Sequence, residues 1–412
     1  MPSAGRGDAV PRLLRQFWIG SIALFLLALV VGWIEHRLGF PKVQYNPLGN
    51  RRHEDLLEFI PLYKTIHTAQ FFQGVNHSRV SYPPLGAVIY AALYWTKHPV
   101  AVYRTLAALW LGAGIWGVAR KLKAMGVGQW AAVLFPLTLV VTSFPIVGLL
   151  QQGNIELFMW ISAAVGTWMF LSGREYEASV LWGVAGAIKL FPIILLAMLL
   201  PRRRWTAFAV GVLTFVAVTV WALWWLGPSI SVAWHGSLQN VFGYQGARVT
   251  EWSWHEVAAN HSAFGLIRFV AVLAKIPRDS LTVPYYLAGG VVLAAAFFLR
   301  LSKMPIANQL LGLTAFMVMF PPISFFYTLV HLYPAFLVLF FLGLHAERTG
   351  VHVNGLKGTV LTFLLLFASF TVMTFIKVLL FGGLIQALVL VMLFGASLQY
   401  RFELQPGEAG VG

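Results

Sequence analysis

Residues 51–59, RRHEDLLEF, hold three carboxylates, Glu54, Asp55 and Glu58, behind two arginines and a histidine. Acid is scarce elsewhere: the 412 residues contain 14 Asp and Glu, and the only aspartates are Asp8, Asp55 and Asp279. On a helix Asp55 and Glu58 share a face. The apolar Leu56, Leu57, Phe59 and Ile60 between and after them suit a short helix lying at a membrane surface, and negative charge is favoured where a helix starts. A solvated loop explains any one of these acids alone. As a group they can supply a general base for an alcohol at the membrane–water boundary. The sequence leaves open which of the three would act.

Five further stretches mix polar groups with turn residues: YPPL (82–85), QGNIE (152–156), GAIKLFP (186–192), NHSAFGLIR (260–268) and PPIS (321–324). Lys189 stands out among them. An ionisable side chain inside an apolar stretch is costly and marks a functional position; the plainer alternative is a lysine snorkelling from a helix break. Trp234, His235, Trp252, Trp254 and His255 could stack on sugar faces, or form an interfacial aromatic belt.

These residues need a membrane scaffold. The chain is 59% hydrophobic and 10% charged, with a mean hydropathy of +0.76, where soluble domains carry about 25% charged residues. Recurrent apolar runs of about 20 residues predict an all-α integral membrane protein and not a barrel. With no cysteine there is neither a disulfide framework nor a thiolate metal site. A net charge of +15 fits cytoplasmic loops and anionic lipid, and a phosphate-bearing lipid substrate is compatible with it; nucleic acid is not expected.

Threading by the positive-inside bias gives 11–12 transmembrane helices in one polytopic domain, 1–412, with both termini cytoplasmic. Of the 29 Lys and Arg, 15 fall in short inner segments. The first apolar run, Phe17–Trp33, is read as an uncleaved span. Two large outer loops, 36–99 and 227–282, carry short amphipathic helices, including pieces near Leu56–Phe72 and Pro84–Trp95. Residues 177–200 read as one span or as a pair broken at Lys189 and Pro192. The pair is preferred, since a single span would place Arg202, Arg203 and Arg204 outside.

An acid after the first span, YPPL, a GN-[DE] turn, Lys-x-x-Pro, N-x-S-x-x-G-x-x-R and P-x-S, in that order, resemble the GT-C superfamily. The pattern is most similar to glycosyltransferase family 87, and covers Asp55 to about His331. The resemblance implies an extracytoplasmic membrane enzyme that moves a sugar, mannose by family default, from a polyprenyl-phosphate donor to an acceptor hydroxyl on a glycan, lipid or protein. It assigns Asp55 as general base, Glu156 to a second acidic position, Lys189 to the Lys before Pro, and Asn260, Ser262 and Arg268 to the long-loop motif. Where the family has Trp and paired His after P-x-S, this chain has Phe325 and Tyr327-Thr328, with His331 one turn later.

Chemically, a sugar phosphate needs cations on its phosphate as charge builds. Lys189, Arg268, His331 and Arg104 are the candidates, with Lys64 and Arg79 behind them. Tyr82, Asn154, Glu156, Asn260, Ser262 and Tyr327, with Glu54 and Glu58, are expected to contact substrate. Displacement in a single step predicts inversion. No cofactor is expected; Asp55 with Glu156 could hold a divalent ion, but no cluster of ligand spacing calls for one. An O-antigen-ligase-like or polymerase-like enzyme would lean on late-loop Arg and His. A transporter would show repeats and carboxylates within spans.

Overall fold

The computed structural model describes residues 10–37, 54–73, 82–250, 260–275, 281–368 and 382–404. It is helical throughout, apart from an isolated bridge between Asn260 and Phe325. Among the described residues five helices are long and apolar enough to cross a membrane: Arg12–Val30 within the first helix, Pro99–Ala124, Trp205–Leu226, Thr282–Lys303 and Phe326–Thr349. A sixth span arises if Gln129–Thr142 and Phe144–Gln152 count as one. Shorter apolar helices complete the bundle, among them Glu156–Leu171, Ile306–Met319 and Gly382–Gln399. Their outward faces are apolar: Leu213 is 65% exposed and Val291 69%. Such exposure is tolerable only against lipid.

Glycines set the closest approaches. A Cβ on Gly183 would lie 2.4 Å from the Gly211 carbonyl oxygen, so helices Glu175–Ile188 and Trp205–Leu226 touch backbone to backbone, as small residues permit in membranes. A Cβ on Gly148 would lie 1.9 Å from the Phe326 ring. That contact lets the 3-10 turn Phe326–Leu332 settle against helix Phe144–Gln152.

Two breaks matter for the site. The apolar run that contains helices Gln129–Thr142 and Phe144–Gln152 is bent by 58° at Ser143. There the Ser143 hydroxyl starts the second helix by accepting the Ile146 N–H, and itself receives the Tyr333 hydroxyl at 2.6 Å. The second break falls at Lys189, as the broken-pair reading expects. Helix Glu175–Ile188 ends, Lys189 is extended at φ −154°, ψ 128°, and a 3-10 helix runs Phe191–Arg202. Pro192 explains it: proline lacks an N–H and its ring would clash with the Ile188 carbonyl one turn back.

In the first loop, Pro84–Trp95 forms a helix as expected, whereas Leu56–Phe72 is not one piece but parts of three short helices, Glu54–Glu58, Ile60–Tyr63 and Gln70–Gln73. The second loop holds a longer helix than expected, Ile230–Thr250, and a shorter one, Ala263–Leu273.

Polar contacts divide the molecule into two ends. At one, Glu347 accepts the N–H groups of Arg12 and Leu13 that open the first helix, and Gly126 lies against the Arg348 guanidinium. At the same end Arg204 pairs with Glu175 at 2.7 Å, Arg202 reaches Gln309, Asn308 bonds the Tyr400 carbonyl, and Gly355 meets the Tyr400 ring. Helices Glu156–Leu171, Trp205–Leu226, Ile306–Met319 and Tyr333–Thr349 each run between this basic end and the opposite one. The opposite end carries the candidate site.

Candidate active site

The GN-[DE] turn is the hub. Gly153 adopts φ +66°, a left-handed cap that glycine accepts without cost, and ends helix Phe144–Gln152. Two buried tyrosines clamp the turn from neighbouring helices. Tyr90 donates its hydroxyl to the Gly153 carbonyl at 3.2 Å, and Tyr103 donates to the Asn154 carbonyl at 3.1 Å. The buried Asn154 side chain then works in two directions. Its Oδ1 accepts the Glu156 N–H at 2.9 Å, and its Nδ2 donates to Asp55 Oδ2 at 2.5 Å. Because an N–H fixes which amide atom is oxygen, the donor end must face Asp55.

Glu156 is fully buried and opens helix Glu156–Leu171, where the helix dipole favours a negative group. One carboxylate oxygen pairs with Lys189 Nζ. The other accepts His331 Nε2 at 2.7 Å. A carboxylate only accepts, so Nε2 carries the hydrogen. The Lys189 side chain keeps 26% exposure; its ammonium has three donors, of which Glu156 takes one. His331 Nδ1 is buried with no hydrogen-bond partner.

Tyr82 stands beside this group, its ring 5.4 Å from Tyr90. Its hydroxyl is pushed well above the usual phenol range by burial first, then by the charge of Asp55. Tyr327 also lies within electrostatic reach of this hydroxyl. Asp55, Tyr82 and Tyr327 therefore share one neighbourhood. Asp55 is half-buried at the start of its helix, and Tyr94 holds that helix by donating to the Leu56 carbonyl.

A second network locks the late segment. The buried Asn260 Oδ1 accepts the N–H groups of Ser262 and Ser324, both at 3.0 Å, and its Nδ2 donates to the Pro322 carbonyl at 2.9 Å. Ser262 Oγ donates to that carbonyl too. His261 Nε2 lies 3.0 Å from Ser324 Oγ and 3.1 Å from Thr328 Oγ1. Burial, and secondarily the charge of Lys189, lowers the His261 pKa to about 3, so its imidazole is neutral.

Of the residues expected from sequence, Asp55, Asn154, Glu156, Lys189 and His331 form one connected chain of contacts, with Tyr82 and Tyr327 adjoining. Asn260 and Ser262 face protein backbone, and so brace the segment that leads to His331. Arg268 is buried on helix Ala263–Leu273. Glu58, Lys64 and Arg104 are exposed, Arg104 next to the clamping Tyr103. Trp234 is exposed and His235 bonds the Ser231 carbonyl. Arg79, Trp252, Trp254, His255 and the Glu54 side chain lie outside the described residues. Sequence reasoning missed Tyr90, Tyr103, Ser324, His261 and Thr328 as supports. Tyrosines at 90 and 103 look like ordinary core aromatics until the turn they hold is seen. No three His, Asp or Glu side chains converge as a metal-ligating group among the described residues.

Residues 81–322, more than half of the chain, match the family model for glycosyltransferase family 87. The chain belongs to glycosyltransferase family 87. No curated protein matches it. Membership makes this multi-helix protein a membrane glycosyltransferase. The family 87 match takes in the Asn154–Glu156 turn, Lys189, and Asn260 with Ser262 and Pro322; Asp55 precedes its first residue, and Ser324, Tyr327 and His331 follow its last.

Proposed function

We propose that this family 87 enzyme transfers a sugar, mannose in the first instance, from a polyprenyl-phosphate donor to an acceptor hydroxyl, with inversion and with Asp55 as general base. The observation that carries the reading is the unequal setting of two carboxylates joined by one amide. Glu156 is wholly buried and committed to Lys189 and His331, while Asp55 is half-buried. The first suits holding charge in place, the second suits taking a proton.

In this mechanism the acceptor hydroxyl gives its proton to the Asp55 carboxylate as its oxygen attacks the anomeric carbon. The bond from that carbon to the phosphate oxygen breaks on the opposite face, and polyprenyl phosphate leaves with the electron pair. Lys189 and His331, aligned by Glu156, stabilise the growing phosphate charge, with Arg268 and Arg104 supplying further positive field. Tyr82 and Tyr327 contact sugar or acceptor. No metal or other cofactor takes part in this scheme.

Orientation follows from charge. The basic end that gathers Arg12, Arg202, Arg204, Arg300 and Arg348 is assigned to the cytoplasm by the positive-inside bias, with both termini there and 11–12 membrane-crossing segments in all. The site end then faces the extracytoplasmic side.

The test is transfer of radiolabelled mannose from polyprenyl-phosphate mannose to membrane lipids by purified wild type and Asp55→Asn. Wild-type transfer, with a variant that binds donor yet turns over about 10²–10⁴-fold more slowly, is the expected result. An Asp55→Asn enzyme at full rate refutes the base and favours a ligase-like chemistry. Wild-type silence with mannose, glucose and arabinose donors alike, in the presence of total membrane acceptors, refutes the donor class.

A further inference from the structure

The Asn154 amide does more than bridge two acids, and the reasoning rests on Asp55 as base. Every atom that could let this amide turn is tied down. Its oxygen holds the Glu156 N–H, its own carbonyl holds the Tyr103 hydroxyl, and the preceding carbonyl holds the Tyr90 hydroxyl. The side chain is 1% exposed, so water cannot substitute for its contacts. What remains is an NH₂ group aimed at Asp55 Oδ2 at 2.5 Å. We propose that Asn154 is the positioning residue of the base: it fixes the direction in which the Asp55 carboxylate points and keeps it ionised, so that the carboxylate meets the acceptor hydroxyl already deprotonated.

The alternative duty, contact with substrate, fits poorly. The amide oxygen and one amide hydrogen are spent on protein, and the side chain is sealed. A donor hydrogen bond to the charged form lowers a carboxyl pKa, and a like charge in its place raises it. Among the described residues, the other titratable groups around Asp55 include the phenols of Tyr82, Tyr90 and Tyr103, which lie within reach of its charge; Glu58 three residues on; and Glu156 with Lys189 and His331 beyond Asn154. The phenols of Tyr82 and Tyr90 titrate far above the range in which a carboxylate base is lost.

The decisive variant is Asn154→Asp, which keeps the size and the oxygen that caps Glu156 but replaces the donor with an acceptor. Full-length wild type, Asn154→Asp, Asp55→Asn and the double variant are assayed for transfer from polyprenyl-phosphate mannose across pH 5–9. Expected for Asn154→Asp are a kcat lowered roughly tenfold or more at neutral pH, an acid limb moved up by about one pH unit or more, and a donor KM within about twofold of wild type. The double variant should be no slower than Asp55→Asn alone, because a positioning residue has nothing left to position. An unshifted acid limb, or an increase in KM with kcat unchanged, overturns the proposal while leaving Asp55 as base. Full activity of Asp55→Asn overturns the base itself, and is read separately. Should Asn154→Asp not fold, Asn154→Ser, which also keeps an oxygen for the cap and shortens away the donor, is held to the same criteria.

Discussion

Glu156 Oε2 and His331 Nε2 lie 2.7 Å apart although 175 residues separate them in the chain. The other oxygen of the same carboxylate pairs with Lys189. One buried acid thus ties together three parts of the sequence, and its loss should be felt both in stability and in turnover.

For Glu156→Gln we expect a lower melting temperature and impaired catalysis together. Breaking a buried pair by removing one partner costs about 3–5 kcal/mol; the partial exposure of Lys189 brings this toward ~2 kcal/mol. With Lys189 and His331 no longer aligned, kcat/KM should fall by about 10²-fold. Thermal unfolding and transfer kinetics on the same preparation check both. A variant that is destabilised but fully active would assign Glu156 to scaffolding alone.

Gly148→Ala tests how the late segment is seated. Its Cβ would overlap the fully buried Phe326 ring, which also packs on Phe144 with ring centroids 4.6 Å apart. Overpacking of this kind costs about 1–3 kcal/mol, and Phe326 opens the turn that carries His331. Reduced activity that is restored by Phe326→Leu in the same chain is the expected pattern. Failure of the second change to restore anything would show that Gly148 matters for another reason.

Acid stability should depend on His261. Its folded pKa is about 3, below the ordinary 6.5. The unfolded chain therefore binds a proton between these values that the folded protein does not. Stability from this group is complete above pH 6.5 and is lost as pH falls toward 3, at up to ~1.4 kcal/mol per pH unit. Unfolding midpoints of wild type and His261→Gln from pH 4 to 7 should converge toward the acid end. Parallel curves would show that another group governs acid sensitivity.

Absence of cysteine makes orientation easy to read. Thr68 is exposed in the first loop near the site end, and Lys303 is exposed at the basic end. In intact cells a membrane-impermeant thiol reagent should label Thr68→Cys and spare Lys303→Cys until the cells are opened. The reverse pattern would turn the whole threading over.

Much of this architecture was legible because membrane helices write themselves plainly. Apolar runs and basic punctuation located helices such as Trp205–Leu226 and the break at Lys189, since lipid and proline act locally. The bend at Ser143 has a local signal, a serine cap followed by Pro145, but its lock to Tyr333, 190 residues away, was not legible. The same distinction runs through the site. Lys189 announced itself by being charged in apolar surroundings, and Glu156 by its place in the GN-[DE] turn that resembles the family pattern. The division of labour between Asp55 and Glu156 did not, because burial is a property of the assembled bundle. Nor did the bracing role of Asn260, whose partners Pro322 and Ser324 come from a different segment.

The reach from Glu156 to His331 also bears on biosynthesis. At about 5–20 residues per second, His331 leaves the ribosome roughly 10–35 s after Glu156, whereas Lys189 follows by only 33 residues. During that interval the acid enters the bilayer region with a lysine escort alone. Its second partner comes only when about four-fifths of the 412 residues have been made. Nascent chains that stall before that point carry a buried acid with one of its two carboxylate oxygens still lacking its partner.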